Sequence, residues 1–174
     1  MTSTNANLRA RRTAALLDLA QLGYAQWFFG NIYEAVVKVP DRLSAELPGF
    51  PQGTDGRGRP ILRPGSPVRY YVPAPPVALV GTLGAAINGL GNPRSRRWLT
   101  VSAGCGLAGV ALTGYVVRKV NLKLFFAAQA PPPAERDALL RTWYRVNVLR
   151  TAAVGGAVFA TQCAKQASLK NIKA

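Results

Sequence analysis

The sequence predicts an all-α fold: a bundle of four transmembrane helices with a long irregular loop between the first and the second. Three observations lead there. Four apolar stretches recur along the 174 residues, roughly 14–37, 73–91, 98–120 and 143–164. Charged residues are sparse within these stretches and crowd between them. Gly and Ala are dense in the last three, a composition that weakens a helix in water but lets helices approach closely in lipid.

The first stretch, AALLDLAQLGYAQWFFGNIYEAVV, ends shortly before Pro40. The basic segment ahead of it (Arg9, Arg11, Arg12) superficially suits a signal peptide. The stretch is too long for one, carries Asp18, Gln21 and Gln26, and is followed by no small-residue cleavage site, so a retained first helix is expected. The connection over 39–72 has no periodicity, and eight Gly or Pro lie between Pro48 and Pro67. Such a loop reads equally as a cap on one end of the bundle or as a disordered link.

The second stretch, PVALVGTLGAAINGL, falls short of the roughly 20 residues a span needs and has to draw on its Pro-rich lead-in. A short NPRSRR turn leads to the third, WLTVSAGCGLAGVALTGYVV. After the prolines at 131–133 a fourth helix is expected to begin near Ala134 and to project beyond the membrane. Pro133 suits a first turn, and Glu135 and Asp137 suit the positive end of the helix dipole.

The net charge of +15 comes from 22 Lys and Arg against 7 Asp and Glu. The basic residues are dispersed between apolar runs and form no single stripe, which fits anionic headgroups and argues against nucleic acid. Counting Lys and Arg puts the long loops inside the cell, while their density favours the short turn and the termini, so orientation stays open. The expected location is a membrane, as a multi-pass protein, with the cell membrane the first choice. The absence of His removes His-based metal and haem sites and His as a general base, and neither a metal nor a cofactor is expected. Cys105 and Cys163 lie inside apolar segments and read as small buried hydrophobes.

Ionisable and amide side chains inside a span cost about 2.5–3.5 kcal/mol for a charge, and they normally face protein. Because successive helices alternate in direction, several collect at one membrane face. They are Asn31, Tyr33 and Glu34 from helix one, Tyr70 and Tyr71 before helix two, Tyr115, Arg118 and Asn121 from helix three, and Trp143, Tyr144, Asn147 and Arg150 from helix four. Asn31 and Glu34 share one side of their helix, and Trp143, Asn147 and Arg150 form another stripe. This predicts a polar pocket with Glu34 paired to Arg150 or Arg118. The plainer alternative is interfacial Tyr and Trp with a snorkelling Arg. Asp18 and Gln21, near the other face, read as helix-to-helix contacts.

These residues carry a family resemblance. The stretch VRKVNLKLFFAAQAPPPAERDALLRTWYRVNVLRT resembles the second half of the anthrone-oxygenase-like family of small four-helix membrane proteins, at Asn121, Leu124, Trp143, Asn147 and Arg150. FFGNIYEAVVKVP looks like that family's exit from its first helix. The resemblance implies a cofactor-independent oxygenase acting on a lipophilic aromatic, polyketide-like substrate. For that reaction the residues themselves, rather than a matched family position, offer Glu34 as base; Arg150 would hold the anion, Asn121 and Asn147 would donate hydrogen bonds, and Trp143 and the tyrosines would stack on the ring. The first two roles conflict if Glu34 and Arg150 pair tightly. A membrane cyclase or isomerase would use the same groups without oxygen. A non-catalytic membrane subunit or lipid-binding protein would instead use the Gly-rich faces for partners, including a second copy of the chain. A pore is disfavoured, since four short Gly-rich helices leave little room for water.

Overall fold

A computed structural model of the chain describes residues 3–44, 73–127 and 130–170. All regular structure among them is helical, and no strand occurs. The elements are α1 (Ser3–Val36), α2 (Val39–Ser44), α3 (Ala74–Gly89) and α4 (Pro93–Val116), then a π-helical turn (Val117–Asn121), α5 (Leu122–Phe125) and α6 (Pro133–Lys170).

Local chemistry sets the boundaries. Prolines occupy the first turn of α3, where the missing N–H has no helical partner to lose. Asn92 caps α4, its side chain accepting from the backbone N–H of Arg94 at 3.0 Å, with Pro93 following. Pro131 and Pro132 precede α6, and Pro133 is its first residue. Between α1 and α2 the chain turns at Lys38, whose φ of 53° is left-handed. That conformation costs a non-glycine residue about 1–2 kcal/mol. The segment 39–44 was expected to be irregular and is a short helix instead. Residues 45–72, the rest of the expected loop, lie outside the described residues.

The four long helices form a ring: α1 packs on α3 and α6, and α4 packs on α6 and, more lightly, on α3. The α1–α3 contact is backbone on backbone. A Cβ at Gly23 would sit 2.6 Å from the Ala78 nitrogen, and one at Gly81 would sit 2.7 Å from the Ala20 nitrogen. Only glycine permits that approach, reciprocally, in an antiparallel pair. The core lies in three tiers. Leu17, Ala85, Leu99 and Ala164 fill one end. Tyr24, Trp27, Ala78 and Val154 fill the middle. Val116, Val120, Leu124 and Trp143 fill the other end. Hydroxyls also lie inside: Thr82 and Tyr24 hydrogen-bond at 3.1 Å, and Ser102 and Thr161 at 2.9 Å.

The outer surface is unusual. Leu22, Phe29, Ile87, Leu107, Val148 and Phe159 are each more than half exposed, so every long helix turns large apolar side chains outward. By length and composition, however, one continuous helical stretch among the described residues, Pro93–Phe125, is long and apolar enough to cross a membrane. The sequence reading expected four. At 16 residues α3 is about 24 Å long, short of a hydrocarbon core of about 30 Å. The other two, α1 and α6, carry charged residues along their length.

Candidate functional site

The C-terminal end of α1 and the middle of α6 meet in a buried polar cluster. Spacing of three residues puts Asn31 beside Glu34 on α1 and Asn147 beside Arg150 on α6. Asn31, Asn147 and Arg150 are all buried. Arg150 donates through Nη2 to Glu34 Oε2 at 3.2 Å and to Asn147 Oδ1 at 2.6 Å, and through Nε to the same oxygen at 3.2 Å. Asn147 Nδ2 in turn donates to the backbone carbonyl of Asn31 at 3.0 Å. The guanidinium carbon lies 5.7 Å from the centre of the Trp143 ring, within cation–π range. Trp143 is buried in the apolar tier beneath.

Among the described residues three side-chain polar atoms are buried without a hydrogen-bond partner: Nε of Arg136 near the start of α6, and, closer to the cluster, the amide nitrogen of Asn31 and the amide oxygen of Asn121. Burying either amide atom unpaired costs about 1–3 kcal/mol. Asn121 closes the π-helical turn, a local winding that recurs at functional positions in helices. The open pair is complementary, one donor and one acceptor.

The residues expected at this end do not all converge. Glu34, Arg150, Asn147, Asn31 and Trp143 form one connected group. Asn121 is half-buried on the neighbouring turn. Tyr115 and Arg118 are exposed and stand apart from the group. Tyr70 and Tyr71 lie outside the described residues. Asp41 of α2 was not singled out from sequence, yet it accepts a hydrogen bond from the Tyr144 hydroxyl across 103 positions of chain. Its only sequence signal was an acidic residue directly after a proline, a helix-start pattern.

At the opposite end Asp18 receives the ammonium of Lys165, joining α1 to α6 there as well. Cys105 and Cys163 are free and half-buried. Among the described residues no three His, Cys, Asp or Glu side chains come together. No protein-family model, curated protein or solved structure matches this chain.

The cluster therefore stands on its own chemistry. It holds a carboxylate that can accept a proton, a cation bonded to that carboxylate and to the Asn147 amide beside an aromatic face, and an amide donor and acceptor at the same end. Such a set suits an oxygen-bearing ligand that becomes an anion, because the charge it acquires is met by a group already in place.

Proposed function

We propose that this chain is a membrane-embedded enzyme for a lipophilic, aromatic, polyketide-like small molecule, and that it works as a cofactor-independent oxygenase. The observation that carries the reading is the Glu34–Arg150 ion pair, whose side chains are only 14% and 7% exposed. A buried pair is costly to build and often adds no stability over an apolar core, so retaining one favours a use for it.

The membrane half of the proposal is supported by the large apolar side chains on the outer surface, which surround a core that is itself apolar with polar residues set into it. Exposed Leu, Phe, Ile and Val girdle the long helices, while Ser, Thr, Asn and Arg are buried. In water such a surface invites aggregation; in a bilayer it is the surface that lipid covers. Charge is also arranged by depth. The two α1–α6 ion pairs are sixteen residues apart on α1 (18 to 34), about 24 Å at 1.5 Å per residue. That length fits a slightly thinned hydrocarbon core, and it also suits the short α3.

The ion pair reconciles the two roles that first seemed to conflict. A phenolic anthrone gives up the proton of its acidic C–H bond to the Glu34 carboxylate. Neutral Glu34 then releases Arg150, and the guanidinium pairs with the oxygen of the new enolate. One negative charge faces one positive charge before and after, so the dry site never holds an uncompensated ion. The enolate passes one electron to dioxygen, and the two radicals join through a C–O bond. Glu34 returns its proton to give a hydroperoxide. Loss of water, with cleavage of the O–O bond and of the remaining C–H bond, leaves the quinone carbonyl.

The test is oxygen uptake by the full chain in phospholipid vesicles supplied with a phenolic anthrone. One dioxygen should disappear per quinone formed, and Glu34→Gln and Arg150→Met should each slow uptake at least about 100-fold. Conversion of the ketone without oxygen would replace the oxygenase with a cyclase or isomerase. One observation favours a second reading: Arg150 donates to Asn147, which donates in turn to the Asn31 carbonyl, so the amide ties α6 to α1 as a structural staple would. In a non-catalytic membrane subunit the same substitutions would alter assembly alone, with no turnover to lose.

A further inference from the structure

The end of the bundle that holds Glu34 and Arg150 carries a second polar contact that the proposed chemistry does not use. The chain leaves α1, turns at the left-handed Lys38 and forms the six-residue α2. The backbone N–H of Arg42 donates to the Lys38 carbonyl at 3.1 Å, tying α2 to the turn. Pro40 is buried at its start, and α2 touches both α5 and α6. Its Asp41 carboxylate accepts the Tyr144 hydroxyl.

Tyr144 leads back to the ion pair. Its ring meets Trp143 edge-on with centroids 5.2 Å apart, and Trp143 lies beside the Arg150 guanidinium. Asp41, Tyr144, Trp143, Arg150 and Glu34 thus form one line of contacts from α2 to the centre. A helix of six residues has no standing stability of its own, since nucleation is unfavourable and few backbone bonds follow. Among the described residues, α2 is held by its packing on α1, α5 and α6, by the burial of Pro40 and by the side-chain bond from Tyr144. Elements held so lightly are the ones that open locally while the rest stays folded.

We propose that α2 is a strap across the Glu34–Arg150 centre, latched by Asp41 and Tyr144, and that its release admits the lipophilic ligand. The inference rests on reading that centre as a ligand site, but the strap itself is measured with no ligand present. Tyr144→Phe deletes one hydroxyl and keeps the ring against Trp143; Asp41→Asn removes the charge from the other half of the latch.

Amide hydrogen exchange of the full chain in phosphatidylcholine vesicles is the experiment. Both variants should speed exchange at 39–44 about tenfold, the loss expected for a hydrogen bond to a charged group, and leave 14–30 and 150–165 unchanged. Acrylamide quenching of Trp143, read with Trp27→Phe and Trp98→Phe in place, should rise at least twofold in Tyr144→Phe. Unchanged exchange at 39–44 in both variants overturns the strap, and so does acceleration spread equally over α1 and α6. Oxygen uptake lost in Glu34→Gln with no effect of the latch variants would leave the site and remove the strap. Faster α2 exchange in a chain that turns over no ketone would do the reverse.

Discussion

The same two helices are joined by an ion pair at each end, and the two pairs differ in almost everything but their partners' charges. Asp18 and Lys165 have side chains 52% and 28% exposed, and no other hydrogen bond surrounds them among the described residues. Glu34 and Arg150 are 14% and 7% exposed and sit inside a chain of amide hydrogen bonds with an aromatic face alongside. Both fix the antiparallel register of α1 against α6, sixteen residues apart on one helix and fifteen on the other (150 to 165). If register were the whole purpose, the cheap exposed pair would serve at both ends. An exposed pair contributes about 0–1 kcal/mol, and salt screens it. A buried pair carries a desolvation cost of several kcal/mol per ion, so its surroundings must be built to hold it. On the proposed function, the contrast is that between a fastening and a site.

Substitutions sharpen or break that contrast. The largest effect is expected from Arg150→Met, which strands a carboxylate in the interior and should cost about 3–5 kcal/mol in detergent-solubilised unfolding. Adding Glu34→Gln should recover most of it. If the double variant is as unstable as the single, the pair is not the unit it looks to be. Next comes Asn147→Leu, which takes from Arg150 the acceptor at 2.6 Å and from the Asn31 carbonyl a donor, for about 1–3 kcal/mol. The smallest effect belongs to Asp18→Asn, at most about 1 kcal/mol by the same measurement, fading as salt is raised. A loss there as large as that of Arg150→Met would erase the difference between the two ends.

Much of this was legible in the sequence because the relevant costs are local. The prolines and glycines marked the helix ends, and α6 begins within a residue of the position read from Pro133 and the acidic residues after it. Glu34 and Arg150 stood out because a charge inside an apolar stretch has few places to go, and a partner at matching depth is the cheapest. What depth does not fix is azimuth. Tyr115 and Arg118 share the level expected for the cluster yet are exposed, while Asn121, three residues after Arg118, is half-buried. The π-helical turn over Val117–Asn121 winds with i→i+5 bonds and so shifts the facing of the residues it carries, which an ideal helical repeat could not foresee. The Asp41–Tyr144 contact was equally out of reach, because it depends on a left-handed turn at Lys38, where nothing in the residue type demands one.

The proposed proton exchange between ligand and Glu34, with Arg150 meeting the new anion, is tested directly without oxygen. A phenolic anthrone added anaerobically to the reconstituted chain should show the long-wavelength absorbance of its anion at neutral pH. That band should vanish in Arg150→Met and Glu34→Gln and persist in Asp18→Asn. A ligand that stays neutral with the unaltered chain, or a band that survives both substitutions at the buried pair, would contradict the assignment of Glu34 and Arg150 as the centre.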